Sequence, residues 1–203
     1  MRRATISILG LLWLCVGCSI LSPQPDRSKF FVLTAVTRES APASSSLTLG
    51  IGPVLLPSYL NRSQIARRSG ENQLVFSPDR LWAEPVEQGF RRVLTEDLGQ
   101  TLGTIAIVQY PWSTGLRVEY QIPMAIGRFE ADEHGTVSLA ARWAIRHPGQ
   151  KDVVVSRESR IVETARDAST ASVVAAMSEA VGRLSDEIAA ALQQVSAVGG
   201  RNR

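Results

Sequence analysis

The sequence predicts an α+β fold: a single domain in which an antiparallel β-sheet carries two amphipathic helices packed on one face. Short runs alternate apolar and polar side chains, which is the pattern of antiparallel strands with one face in water. Two longer segments instead repeat apolar residues at spacings of three and four, the helical period. The strands come in two groups, each followed by a helix, and such segregated elements pack as two layers around one core.

The first group holds four predicted strands and ends in a helix. Residues 30–36 and 47–55 are rich in β-forming side chains and are bounded by Ser and Pro. Residues 64–68 and 73–76 flank a Ser-Gly-Glu-Asn sequence, which predicts a hairpin. Residues 85–102 carry the helical period, and Pro85 suits the first helical turn, where its missing N–H is not needed. The apolar face of this helix comprises Val86, Phe90, Val93, Leu94 and Leu98.

The second group holds three or four strands and a longer helix. Residues 116–126 and 137–145 alternate cleanly, and the sequence at 132–135 joins them as a hairpin turn. Residues 153–162 make a further strand. Asp167 or Ser169 can cap the last helix. Its apolar face comprises Val173, Met177, Val181, Leu184, Ile188, Leu192 and Val195.

The N-terminal residues 1–17 have the organisation of a secretory signal peptide. Two arginines precede an apolar run of 11 residues, 6–16, and a small residue, Gly17, follows. Spanning a bilayer requires about 20 apolar residues, so the run is too short for a transmembrane helix. We therefore expect export of the chain and cleavage after Gly17.

Cys18 is the predicted site of lipid attachment. Residues 14–18, Leu-Cys-Val-Gly-Cys, resemble the lipobox of bacterial lipoproteins, in which the cysteine is acylated and becomes the new N-terminus. Cys15 departs from that pattern, because Leu is usual there, and an ordinary signal peptide followed by a chance cysteine is the alternative. In Gram-negative lipoproteins, an Asp directly after the acylated cysteine favours retention in the inner membrane. This chain has Ser19 at that position, which is typical of release to the outer membrane. The resemblance thus implies a protein anchored by lipid to the outer membrane and facing the periplasm.

The composition narrows the remaining functions. Residues 18–29 are predicted to form a lipidated tether and residues 30–198 the folded domain, so the body has no thiol for a disulfide, metal site or nucleophile. Without Arg2 and Arg3 the chain has 20 basic residues (22 less 2) against 19 acidic ones. Such a neutral balance argues against a nucleic-acid partner. No metal or cofactor is expected.

Catalytic motifs are missing from the sequence. His134 lies in a predicted turn and His147 precedes a proline, so neither forms a nucleophile–base pair that can be named. The chain has no G-x-S-x-G elbow, phosphate-binding loop or H-E-x-x-H motif. Four carboxylates of the first helix are interpreted as a solvated face: they are Glu84, Glu87, Glu96 and Asp97. We therefore expect a protein that is not an enzyme.

Residues 53–85 concentrate polar and aromatic side chains that core packing does not require. This segment is one of two things: a loop and hairpin whose polar groups satisfy their own backbone, or a recognition surface. Arg and Trp are favoured anchors at protein interfaces, which supports the second interpretation. The candidate interface residues are Tyr59, Asn61, Arg62, Gln64, Arg67, Asn72, Gln73, Trp82, Glu84 and Pro85.

The same segment resembles a known family. The run LPSYLNR at 56–62, then Gln-Ile at 64–65, Asn-Gln-Leu at 72–74 and Trp-Ala-Glu-Pro at 82–85 before a helix, is similar to the ABC-type transport auxiliary lipoproteins. The resemblance covers nearly the whole mature chain. It implies a non-enzymatic outer-membrane lipoprotein that works with an MCE-domain tunnel protein and, through it, with an inner-membrane transporter.

Further expectations follow from this resemblance. Such systems carry phospholipids or other hydrophobic molecules across the periplasm and support envelope integrity. Members resemble ring-forming homo-oligomers, which would make residues 53–85 a subunit or partner surface. The alternative function is a structural or assembly lipoprotein that binds an outer-membrane protein; it shares the anchor and the fold but has a different partner.

Overall fold

The computed structural model describes residues 25–37, 48–103, 106–113, 115–148 and 153–199. These residues form one domain with an open sheet of eight strands and two α-helices, so the predicted α+β class is confirmed. The elements in chain order are β1 Lys29–Phe31, β2 Leu49–Leu55, a 3-10 turn Ser58–Leu60, β3 Gln64–Arg68, β4 Leu74–Trp82, α1 Val86–Leu102, β5 Ile107–Gln109, β6 Tyr120–Asp132, β7 Thr136–Arg146, β8 Val153–Thr164 and α2 Thr170–Gly199.

The long strand β6 is the centre of the sheet. On one side it pairs along most of its length with β7, which pairs in turn with β8. On the other side β2 covers its first half, where Leu49 lies opposite Tyr120, and β3 covers its end, where Arg68 lies opposite Asp132. The sheet therefore divides beyond β6 into two wings, one completed by β5 and the other by β4 and β1.

The sheet is mixed, whereas the sequence analysis expected antiparallel pairing throughout. The pairs β3–β4, β6–β7 and β7–β8 are antiparallel, while β1–β4, β2–β5, β2–β6 and β3–β6 are parallel. Parallel neighbours need a long crossover connection, and β3, β4 and α1 supply one between β2 and β5. Alternating side chains identify a strand but not the direction of the strand beside it.

Both helices pack on the same face of the sheet, as predicted, and they also contact each other. α1 lies against β2 and β5, and α2 lies against β6, β7 and β8. The ring of Phe90 meets that of Phe129 edge-on at 5.3 Å between centroids, which joins α1 to the central strand. Ser169 caps α2, because its hydroxyl accepts the N–H of Ser172 at 3.2 Å. Every predicted apolar position of α1 is buried, and so are those of α2 except the half-buried Val195.

Several strand boundaries differ from the expected ones. The first strand stops at Phe31 instead of continuing to residue 36, because Leu33 turns into the core and the N–H of Val36 bonds to Asp97 of α1 at 2.9 Å. β4 continues to Trp82, six residues beyond its predicted end at Phe76. β6 begins later and ends later than expected, and β5, with three residues, was not predicted.

The signal peptide, Cys18 and the tether up to residue 24 lie outside the described residues. Residues 25–28 are irregular and lead directly into β1. Within the described part of the chain, neither helix is long and apolar enough to cross a membrane.

Candidate functional site

Two parts of the segment 53–85, which carries the family-like motif, meet at the start of α1. The chain leaves β2, makes the 3-10 turn at residues 58–60 and enters β3, while β4 ends at Trp82 and turns into the helix. The N–H of Trp82 donates to the carbonyl of Ser63 at 2.7 Å, which ties the two segments together. The N–H of Ala83 donates to the carbonyl of Phe31 at 2.9 Å, so β1 is attached at the same point.

A cleft of about 320 Å³ opens between these two segments. Its lining consists of Leu60, Asn61, Arg62, Ser63, Trp82, Ala83, Glu84, Pro85 and Val86. The apolar members Leu60, Trp82 and Val86 are each at most 7% exposed and form the buried part of the wall. Asn61 and Arg62 are exposed at the rim. An apolar base with polar groups around its mouth is the usual composition of a binding cleft.

Arg62 is held at this rim by an aromatic ring. Its guanidinium carbon lies 4.9 Å from the ring centroid of Phe76 on β4, within the range of a cation–π contact. The contact restrains the side chain while leaving the residue exposed to solvent. A partner binding there would meet a positive charge that is already oriented, so less conformational entropy is lost on binding.

Glu84 is engaged inside the fold. Its Oε1 accepts a 2.5 Å bond from Arg92 on α1, and the same nitrogen of Arg92 also donates to the carbonyl of Leu33 at 2.9 Å. The hydrogen bond to Glu84 raises the pKa of Arg92. Gly89 leaves room for this carboxylate, since a Cβ there would lie 3.1 Å from Oε1. Glu84 therefore fastens the cleft to α1 and to the segment after β1.

Tyr59 points away from the cleft into a buried charged network. Its hydroxyl donates to Oε2 of Glu130 at 2.7 Å, and Glu130 is 1% exposed. Arg68 donates to the other oxygen at 2.8 Å, and Arg128 donates to that same oxygen at 3.0 Å. Burial, together with the bond to Glu130, raises the pKa of Tyr59 well above its usual range, so the phenol stays a neutral donor.

The remaining candidate residues lie along the β3–β4 hairpin rather than in the cleft. Gln64 sits opposite Leu81 at the start of β3. Arg67 is half-buried on β3. Burial lowers its pKa, although the negative charge of Asp132 acts to raise it. Asn72 and Gln73 are exposed at the hairpin tip, where the carbonyl of Gln73 accepts the N–H of Ser69 at 2.9 Å. The structure thus brings together five of the ten candidates: Asn61, Arg62, Trp82, Glu84 and Pro85.

The buried charged network around Glu130 was not found from the sequence. Glu130 and Arg128 lie far along the chain from Tyr59 and come to it only through β6. Trp82 was proposed as an interface anchor, yet the residue is only 7% exposed, so just its edge reaches the cleft. In the sequence, Glu130 could have been noticed only as a charged residue within a long run that alternates apolar side chains.

The histidines lie where the sequence analysis expected them. His134 is exposed in the β6–β7 turn, and Nδ1 of His147 lies 3.0 Å from the carbonyl of Glu119. Among the described residues, no group of three or more His, Cys, Asp or Glu side chains is placed to hold a metal ion.

Comparison with known proteins identifies the family. The model of the ABC-type transport auxiliary lipoprotein component matches residues 31–189, which include the cleft and both wings of the sheet. The intermembrane transport lipoprotein PqiC of Escherichia coli K12 is 23% identical over 150 residues, or 74% of this chain and 77% of that protein. The PqiC protein of Shigella flexneri matches to the same extent.

Solved structures agree on the fold. A protein from Xanthomonas campestris superposes with a TM-score of 0.70 at 17% identity, covering 85% of this chain and 99% of that one. An uncharacterized protein superposes with a TM-score of 0.68 at 19% identity, covering 81% of this chain and 98% of its own. At such identities the likeness shows the fold alone. The family match spans most of the chain, which therefore belongs to the ABC-type transport auxiliary lipoprotein component family.

Proposed function

We propose that this protein is a non-catalytic outer-membrane lipoprotein of an MCE-type intermembrane lipid transport system and supports envelope integrity. Cys18 carries the lipid anchor, and the folded domain faces the periplasm. An MCE-domain tunnel protein binds at the cleft, and through it the protein serves an inner-membrane transporter. Further copies of this chain complete the assembly as a homo-oligomeric ring. Membership of a transport auxiliary lipoprotein family supports the general role.

The observation that carries the proposal is the construction of the cleft. Five residues of the family-like motif converge there, although they come from two segments separated by a hairpin. The buried wall is apolar and the rim carries the oriented Arg62. Interfaces concentrate their binding energy at such places, where a partner side chain can be desolvated beside an arginine.

The carboxylates that support the cleft are committed to the framework rather than to chemistry. Glu84 is bonded to Arg92, and Glu130 is bonded to Arg68 and Tyr59. A reactive acid or base needs a free face towards a substrate, and these groups instead hold α1 and β6 in place. This arrangement favours a docking role for the cleft, and the family is one of transport components rather than enzymes.

The anchor follows from the sequence before β1. From Ser19 to Lys29 there are 11 residues, which reach at most about 35 Å when extended. Lipid chains on Cys18 would contribute about 0.8 kcal/mol per buried methylene, and several chains together make anchoring stable. The tether then keeps the start of β1 within this distance of the membrane, and β1 is bonded to the cleft through Phe31 and Ala83.

A site-specific cross-linking experiment tests the docking role. A photoreactive amino acid is placed at Arg62, and a matched control carries it at the exposed Arg117, in cells that express the full chain together with the MCE-domain protein and transporter proposed as its partners. We expect a cross-link to an MCE-domain protein from position 62 and none from position 117. A cross-link from position 62 to an outer-membrane barrel protein would instead support the assembly-lipoprotein alternative. If position 62 captures neither protein, the cleft is not the docking surface.

The anchor is tested separately by fractionation. A Cys18→Ala variant should move from the outer-membrane fraction to the soluble periplasm or remain unprocessed, and the cells should become more sensitive to detergent. Partitioning like that of the unaltered protein would contradict lipid attachment at Cys18.

A further inference from the structure

We propose that the face of the sheet turned away from the helices binds a phospholipid, with an acyl chain in a groove over β6 and β7 and the phosphate at Arg142. Such binding deepens the lipid transport role proposed above, on which it rests, because it brings the transported molecule into contact with this chain. The groove shares no lining residue with the cleft at Arg62.

The groove lies at the centre of the helix-free face. It comprises two adjoining cavities of about 300 and 200 Å³, and Ala125 and Arg142 line both. Leu55, which lies opposite Ala125 on β2 and is 62% exposed, forms an apolar wall. The outward positions of β6 and β7 beside this wall hold small residues, which are Pro123, Ala125, Gly127, Ala140 and Ala144. We call this surface the sheet groove.

The sheet groove leaves apolar surface open to water. The adjacent residues Met124 and Trp143 point to the other face and are 3% and 2% exposed, as expected for the core side of the sheet. Outward positions of an antiparallel pair with one wet face normally carry polar side chains. Positions 123–127 of β6 carry none over roughly 13 Å of strand. An open apolar groove of this length suits a hydrocarbon chain.

The surroundings of the sheet groove are positively charged. The outward side chains of β6, β7 and β8 around it include four arginines but only two glutamates: they are Arg128, Arg142, Arg146, Arg160, Glu130 and Glu158. Three of the arginines have partners on the same face. Arg128 pairs with Glu130, Arg160 pairs with Glu158, and Arg146 donates to the amide oxygen of Gln121 at 3.3 Å. The excess positive charge favours an anionic ligand.

Arg142 is the arginine available to such a ligand. It is exposed on β7 between the two cavities. Glu158 lies opposite it on β8, but that carboxylate is paired with Arg160 at 2.7 Å. Within the described parts of the chain, the Arg142 guanidinium forms no hydrogen bond or ion pair. A guanidinium donates two parallel hydrogen bonds to a phosphate, so Arg142 can hold the headgroup while the chain lies along β6.

A lipid fits this surface better than a protein segment does. Protein interfaces draw most of their binding energy from Trp, Tyr and Arg side chains in central pockets. Trp143 contributes to the lining of the sheet groove, yet it is turned into the core. The combination of small apolar residues with one available guanidinium matches a molecule that has a hydrocarbon chain and a single anionic group.

Photocross-linking in cells tests the sheet groove. A photoreactive amino acid replaces Ala144 in the full chain, and the matched control carries it at Ala175, an exposed alanine of α2 on the other side of the sheet. Adducts are identified by mass spectrometry of the purified protein. We expect phospholipid adducts at position 144 and about tenfold fewer at position 175, where membrane proximity alone would act.

A second pair of variants tests the headgroup contact. Arg142→Gln in the chain labelled at position 144 should lower the yield of lipid adduct by about tenfold, because a charge-assisted hydrogen bond to phosphate is lost. Arg117→Gln removes the same charge from an exposed position outside the sheet groove and should leave the yield unchanged. If the chain labelled at position 144 does not accumulate, the exposed Ser156 of the same groove carries the label and the same results are expected.

Three results would overturn lipid binding in the sheet groove. They are equal lipid adducts at positions 144 and 175, protein adducts without lipid at position 144, and a lipid yield that does not respond to Arg142→Gln. The cross-link from position 62 to the MCE-domain protein is measured in parallel. Capture of that protein at 62 without lipid at 144 refutes the groove and leaves the docking role intact. Lipid at 144 without capture at 62 refutes docking at the cleft and leaves the groove intact.

Discussion

The phenol of Tyr59 donates a 2.7 Å hydrogen bond to Glu130, a carboxylate that lies 71 residues later in the chain and is buried by the sheet. Tyr59 directly precedes Leu60 and Asn61, which line the cleft. The bond thus ties one wall of the cleft to β6, the central strand. Tyr59 contributes to the site by fixing its shape rather than by touching a partner.

Removing this bond should destabilise the fold. We expect Tyr59→Phe to lower the free energy of unfolding by about 1–3 kcal/mol, because a buried carboxylate loses a charged hydrogen bond. Glu130→Ala should lower it by about 2–4 kcal/mol, since Arg68 and Arg128 lose their shared partner although both reach solvent. Urea unfolding followed by circular dichroism measures both changes.

Tyr110→Phe is the matched control for the tyrosine variant. Tyr110 is 45% exposed, so loss of its hydroxyl should change the free energy of unfolding little. Equal effects at Tyr59 and Tyr110 would contradict the role assigned to the network.

Gly50 should not tolerate a side chain. A Cβ at this buried position of β2 would lie 2.7 Å from two ring atoms of Trp112 and 2.9 Å from a methyl of Val118. We expect Gly50→Ala to destabilise the protein by about 1–3 kcal/mol through overpacking. Gly127→Ala is the control, since its nearest neighbour would be the carbonyl oxygen of Ala140 at 3.8 Å.

The clash at Gly50 predicts coupling between two positions. In a Trp112→Leu background the ring is gone, so Gly50→Ala should destabilise the protein less than in the wild type. An undiminished effect in the double variant would mean that Trp112 is not the obstacle. Thermal unfolding of the four proteins measures the coupling.

Asp132 should make the stability of the β6–β7 hairpin depend on pH. Its Oδ1 accepts the N–H groups of His134 and Thr136 at 2.9 and 2.8 Å. Burial acts to raise the pKa of this carboxyl, but these hydrogen bonds outweigh it and the pKa is lowered. A group with a lowered folded-state pKa stabilises the fold above its unfolded pKa of about 3.9, and that contribution is lost as pH falls through the folded value. Between about pH 5 and pH 3, Asp132→Asn should therefore lose less stability than the wild type. Identical pH profiles in urea unfolding would refute this.

The helices and the last three strands followed closely from the sequence. A helix of 17 residues or a hairpin such as β6–β7 is specified by local periodicity and a local turn. Both were found, although β6 begins four residues later and ends six residues later than predicted. Ser169 was named as a cap, and it caps α2 in the structure. Such features depend on residues close together in the chain.

Other features depended on contacts between distant segments. Gln121 is a polar residue of the alternating segment 116–126, yet it is only 8% exposed, because its amide donates to the carbonyl of Gly52 at 2.9 Å across the β2–β6 pair. The three-residue β5 has too short a pattern to be recognised and exists through its pairing with β2. The partition of the motif into a cleft, a buried network and a hairpin tip likewise arises only when β3, β4 and β6 assemble.

The most direct test of the central claim is the affinity between this protein and the MCE-domain protein proposed as its partner. Full-length lipoprotein in detergent is titrated with the purified partner by calorimetry, using the wild type, Arg62→Glu and the control Arg117→Glu. If the cleft is the docking site, Arg62→Glu should weaken binding by about tenfold or more while Arg117→Glu changes it less than about twofold. Unchanged affinity for Arg62→Glu in a folded protein, or no binding by the wild type, would contradict the account.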